Sequence, residues 1–173
     1  MNETKRIISL SINKSDELKY YGIIFNNNKI EHMIAVPNDY LIAEFMNIVM
    51  LEYKIGDIIT FDKHVFGVAI DDYLKYRKIK NIIHVNEKDM LSNTICKCKE
   101  ILFDAVIGDN IKKDSTLYYE IKKIRSELNN IKIIQDDNYT RYAKIDKNIG
   151  MGRACCFIYY INIINQLASL TKE

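Results

Sequence analysis

The chain has one proline, no tryptophan and only six glycines in 173 residues. So little Pro and Gly leaves no room for long linkers, and a single domain with at most a small extension is expected. Cysteine is scarce too. Cys96 and Cys98 stand one residue apart and Cys155 and Cys156 are adjacent. None forms a C-x-x-C pair, which excludes a two-halved zinc site and leaves reduced, buried thiols of a cytosolic protein. Net charge is nearly absent at +2. That excludes a global basic field, though not a local basic face. Met1 to Arg6 is polar with no apolar core, so no secretory leader is expected. The apolar run Ala154 to Ile161 is far shorter than the roughly 20 residues of a membrane span. A cytoplasmic chain with no membrane partner is the expectation.

What is present suits a packed core. Hydrophobic residues make up 48% of the chain and charged residues 28%, the balance of a globular protein. Ile, Lys, Asn and Tyr are used heavily, a bias of coding composition rather than of function. Arg6 to Ile12, Leu18 to Phe25 and Lys29 to Val36 read as three strands, the last two joined at Asn26-Asn27-Asn28. Pro37-Asn38-Asp39 then starts a helix with Ile42, Phe45, Met46 and Val49 on its apolar face, ending near Gly56. Asp57 to Asp62 is a strand, and the run Val65 to Ile70 reads as another. Tyr73 to Lys80 is a basic turn or short helix, Asn81 to Val85 a strand, and Glu87 to Leu102 a helix.

The stretch 101–142 is the most structured in its pattern. Phe103 to Ile107, closed by Gly108, fits a buried parallel strand. Asp114-Ser115-Thr116 has the short oxygen-bearing side chains of a helix start. Leu117, Ile121, Ile124 and Leu128 recur at helical spacing, and Ile131 to Ile134 is the next strand. Its tip carries Asp136 and Asp137, and ligands collect at the C-terminal tips of parallel strands. Ala143 to Gly152 reads as a polar loop, and Ala154 to Leu170 as a last helix with Phe157, Ile161, Ile164 and Ala168 inward.

From residue 57 the predicted order is β-β-β-α-β-α-β-α, the plan of an RNase H-like fold. Several short matches within it resemble the YqgF family, RNase H-fold proteins described as Holliday-junction resolvases and as nucleases maturing the 5′ end of 16S rRNA. The first is the strand Ile58 to Asp62 followed by Gly67 to Asp72. Ala105-Val106-Ile107-Gly108 with Asp114-Ser115-Thr116 is the second, and Asp136-Asp137-Asn138-Tyr139-Thr140-Arg141 the third. The chain departs from the family pattern in four places. The turn after Asp62 is shorter and lacks a glycine, Asn138 replaces an arginine, Asp109-Asn110 replace a Leu-Pro, and the third acid is missing near Gly152.

The resemblance implies an α/β protein: an RNase H-like mixed sheet flanked by helices at 55–173, preceded by an N-terminal β-β-β-α extension at 1–54. It implies a metal-dependent nuclease for structured RNA or branched DNA, weakened or inactive for want of the third acid. Such enzymes use two divalent cations about 4 Å apart, held by carboxylates on neighbouring strands. Asp62, Asp136 and Asp137 would be the catalytic acids and the ligands of Mg²⁺ or Mn²⁺. Lys112, Lys113, Thr116, Arg141, Lys144 and Arg153 would hold phosphates. Against this stand plain readings: a turn acid at Asp62, a strand-to-turn cluster at Asp136-Asp137, a solvated helix face for the lysines, and packed strand aromatics at Tyr20 and Tyr21. His64, near Asp62, is a general base only if a substrate reaches it.

A second register is open. Residues 6–62 themselves offer three strands, a helix and a fourth strand, as in a RuvC-like core. Asn13 then takes the first acid position and Asp62 the second, and the centre is inactive. Non-catalytic alternatives are an RNase H-fold protein that binds a protein or nucleic acid, and a homodimer joined through residues 1–54.

Overall fold

A computed structural model describes residues 5–13, 18–37, 39–86, 98, 115–135, 137–138, 141–144 and 152–170. Its centre is a five-stranded sheet. The strands β1 (Ile7–Ile12), β2 (Leu18–Asn26), β3 (Lys29–Pro37), β4 (Ile58–Asp62) and β5 (Ile82–Val85) lie in the order β3-β2-β1-β4-β5. β1 to β3 form an antiparallel meander, while β1, β4 and β5 run parallel. Asn27 and Asn28 turn β2 into β3 with φ of 52° and 62°. Two successive positive φ values make the tight turn that matches strand twist, and asparagine tolerates them.

Both faces of this sheet are covered, so β1 and β4 read as nearly continuous apolar runs. On one face Ile8, Leu10, Ile24, Ile59 and Phe61 pack on α1 (Ile42–Glu52), α2 (Lys63–Phe66) and α3 (Ala69–Tyr76). Tyr20 stacks on Phe45 of α1 at 5.1 Å. On the other face Ile7, Tyr21, Ile23, Phe25 and Ile58 meet α5 (Gly152–Leu170), which α4 (Thr116–Asn129) backs. The rings of Phe25 and Tyr160 stack at 3.7 Å and 4°. Burial pushes the Tyr160 phenol up to about 12, and its hydroxyl donates to Asn28 Oδ1 at 2.8 Å. α5 is buried all round from Gly152 to Ala154 and from Cys156 to Ile161, as suits an apolar helix laid across a sheet. Its expected inward positions hold at Phe157 and Ile161; Ile164 is half-buried and Ala168 exposed.

Four sequence expectations change. The run Val65 to Ile70 is not a strand but the end of α2 and the start of α3. Gly67, at φ 66°, separates the two helices, and Phe66, Ile70 and Leu74 recur every four residues on a buried face. Residues 1–54, read as an extension, supply β1, β2, β3 and α1 to the central sheet. The β1–β4 ladder crosses the expected boundary, with Ile58 N–H donating to Arg6 O at 3.0 Å. Among the described residues, β6 (Lys132–Gln135) pairs with no strand of that sheet; it pairs antiparallel with β7 (Arg141–Lys144), which takes in Ala143 and Lys144 from the expected loop. Asp62 ends the fourth strand of the sheet in chain order, and not the first as the 55–173 core would have it. The helix expected at 87–102 lies outside the described residues except for Cys98, which is helical and buried, and the strand at 103–107 lies wholly outside them.

Candidate functional site

Alternation along β1 and β4 sends Ser9, Ser11, Thr60 and Asp62 to the same face as Ile7 and Ile58, under α5. All four are buried, and so is Asn13 just beyond β1. The result is a polar seam at the middle of the sheet, running toward the C-terminal tips of its parallel strands. Ser9 Oγ donates to Cys156 O at 2.7 Å, and Cys156 Sγ donates to Tyr21 O at 3.6 Å. Ser11 hydrogen-bonds the Cys156 side chain. Burial raises the Cys156 thiol well above its ordinary value, so this group is a packed donor and not a nucleophile. Burial likewise pushes the Cys98 thiol up to about 12.

The β1–β4 ladder pairs Ser9 with Thr60 as its last pair, and Ser11 and Asp62 are the next residues of the two strands on that same face. Asp62 is buried at the tip, and its Oδ1 accepts the backbone N–H of His64 at 2.7 Å as the cap of α2. The next residue, Lys63, reaches Asp71 Oδ2 at 3.3 Å, and His84 Nε2 lies 2.8 Å from Asp71 Oδ1. Burial works to raise Asp71, yet the hydrogen bonds from His84 and Lys63 prevail and hold it below the usual carboxylate range. This cluster fastens α2 and α3 to β5, and the edge of His84 meets Phe61 at 5.0 Å.

At the start of α5, Gly152 lies against the ring of Tyr21 so closely that a Cβ would clash with Tyr21 Cδ2. Arg153 is buried. It donates to Glu120 Oε2 at 2.7 Å and to Glu127 Oε1 at 2.9 Å, and lies 4.6 Å from the Tyr21 ring centre. The guanidinium is thus spent on α4 carboxylates and is not presented for phosphate. Thr116 is the exposed first residue of α4. Asp137 is exposed in the turn between β6 and β7, while Asp62 belongs to the five-stranded sheet. Arg141 and Lys144 are the two ends of β7. Asp136, Lys112 and Lys113 lie outside the described residues.

Sequence reading missed Ser9, Ser11 and Thr60. Their trace was the polar alternation inside I-S-L-S-I and I-T-F-D, which an apolar core does not require. It also missed Glu127, a lone acid beside the apolar face of α4.

Two hard cations need several oxygen ligands, including a shared carboxylate. Beside Asp62 the neighbouring strand offers the neutral Ser11 and Asn13, and Asp62 has one oxygen on a backbone N–H. No three His, Cys, Asp or Glu side chains converge among the described residues. The described residues therefore do not fit a two-metal centre.

No family model and no curated protein matches the sequence. Solved structures do match the fold. The large terminase nuclease of thermophilic phage G20c aligns over 91% of this chain and 83% of its own, with TM-score 0.55 and 14% identity. The same nuclease with bound magnesium aligns over 94% and 82%, with TM-score 0.61 and 11% identity. The Thermus phage P74-26 large terminase nuclease domain gives TM-score 0.55 and 12% identity over 91% and 80%. The fold is RNase H-like. Within it, residues 6–62 hold the second register of the sequence: three strands, a helix and a fourth strand ending in Asp62. Asn13 stands where that register wants the first acid. None of the described helices is long and apolar enough to cross a membrane.

Proposed function

We propose that this chain is a nucleic-acid-binding protein on a nuclease fold, one that holds its ligand without cutting it. The observation that carries this reading is the buried seam leading to Asp62, where β1 and β4 present Ser9, Ser11 and Thr60 and no second carboxylate. The packing of Gly152 on Tyr21 supports it, because the YqgF likeness would place a third acid near Gly152 and a Cβ at that residue would meet the Tyr21 ring. The fold shared with magnesium-binding terminase nucleases supports nucleic acid as the ligand class. Structured RNA and branched DNA, which the YqgF likeness suggests, are the natural first probes.

The test is a labelled four-way DNA junction and an rRNA-precursor stem, incubated with the protein in Mg²⁺, Mn²⁺ or EDTA. The expected result is a retarded complex and intact strands in all three. Melting temperature should differ by less than about 1 °C between EDTA and millimolar Mg²⁺, since a ligand that does not bind the folded state adds no stability. Metal-dependent cutting that Asp62→Asn abolishes would overturn the reading and establish an active nuclease instead.

A further inference from the structure

We infer that nucleic acid is held at the end of the sheet opposite Asp62, where the parallel strands begin; this rests on the nucleic-acid reading above. β1, β4 and β5 run the same way, so their first residues share one end, and the β2–β3 turn returns to it. Lys5, Asn27, Ile55, Gly56 and Asn81 line a cleft of about 580 Å³ there, together with the ion-paired Arg6 and Asp57. The Asn81 side chain ties the strands together by donating to Gly56 O at 3.3 Å. Gly56 has a φ of 101°, and a Cβ there would meet nothing within 4 Å, so the backbone lies open to a ligand.

The charge at this end is unbalanced. Three carboxylates stand here among the described residues: the buried Asp57 and Glu31 share Arg6, and Glu52 lies 3.9 Å from His32, against the six cations Lys5, Arg6, Lys29, Lys54, Lys78 and Lys80. Lys5, Lys29, Lys78 and Lys80 are exposed and make no ion pair among the described residues. Lys54 reaches Glu31 only at 3.9 Å. A helix dipole accounts for part of this, because Lys78 follows the C-terminus of α3. It does not account for Lys5 and Lys29, which stand on β1's approach and on β3. On a chain of net charge +2, such a gathering is a local basic face of the kind phosphates select. Phosphate contacts by lysine position a strand without reading its sequence, so the surface suits structured or branched nucleic acid of any sequence.

The test is fluorescence anisotropy with labelled DNA duplex, single strand and RNA stem across a series of KCl concentrations. Lys5→Ala/Lys80→Ala is compared with Lys122→Ala/Lys132→Ala, which removes the same charge from exposed sites on α4 and β6. The first pair is expected to weaken binding at least about tenfold and to reduce the salt slope by about 2, the second to change affinity by less than about twofold. Melting temperatures should match wild type in both. Equal weakening by the two pairs, or loss with Arg141→Ala/Lys144→Ala instead, would overturn the inference and leave the function standing. No binding by wild type to any probe would overturn both.

Discussion

Arg153→Ala is expected to lower folding stability by about 3–5 kcal/mol, measured as a fall in the urea midpoint at constant slope. Its side chain is 6% exposed and that of Glu127 10%. Removing the guanidinium takes from the buried Glu127 its charged partner, while the Ala154 N–H at 2.9 Å stays. That donor is itself informative. One Glu127 oxygen pairs with Arg153 while the other caps the first turn of α5, so one side chain of α4 serves a neighbouring helix twice. Arg153→Met/Glu127→Met should regain much of the loss, because a buried pair offers little over well-packed apolar groups; what stays lost is the cap. A loss below about 1 kcal/mol for Arg153→Ala would mean that water screens the pair. The pH dependence gives a second readout through Glu120. Burial works to raise its pKa, but hydrogen bonds from Lys123 and Arg153 prevail and lower it from 4.5. A carboxylate depressed in the folded state adds stability that is complete above its unfolded value and is lost as pH falls through the folded one. Stability should therefore drop below about pH 4.5, and less steeply in Arg153→Ala.

Arg153 also shows where sequence reading stops. As a cation before an apolar helix it looks like a phosphate ligand, because its partners Glu120 and Glu127 lie 33 and 26 residues away. Local features were legible. The Asn27-Asn28 turn, the Phe45, Met46 and Val49 face of α1, and the Ile121, Ile124 and Leu128 face of α4 all follow from short-range chemistry. Short apolar runs were not. Val65 to Ile70 and Ile131 to Ile134 look alike in hydropathy, yet the first splits into two helices and the second pairs antiparallel with β7. Hydropathy reports that a segment is buried, and not which neighbour buries it. The same limit applies to the site. Asp62 was legible as an acid at a strand end, whereas Ser11 came to the same face only through a parallel pairing that spans some fifty residues of chain.

Gly152→Ala is the second large effect, and its sign should depend on Tyr21. The added Cβ would clash with Cδ2 and Cε2 of the Tyr21 ring. The ring is 1% exposed with Arg153 against it, so it has nowhere to turn. Overpacking of this kind costs about 1–3 kcal/mol, and so close a contact belongs at the upper end. In a Tyr21→Ala background the clash is gone, and alanine's helix propensity should make the same substitution neutral or stabilising by up to about 1 kcal/mol. A double-mutant cycle in urea measures that reversal. Equal losses in both backgrounds would place the strain elsewhere. The same contact bears on activity, because a carboxylate at Gly152 needs the space the Tyr21 ring fills. Ser11→Asp alone should therefore create no magnesium-dependent rise in melting temperature, and Ser11→Asp/Gly152→Asp should fold poorly and not cleave. If that double variant folds and cuts DNA in Mg²⁺, the helix start has room for an acid and the protein is one substitution pair from an active nuclease.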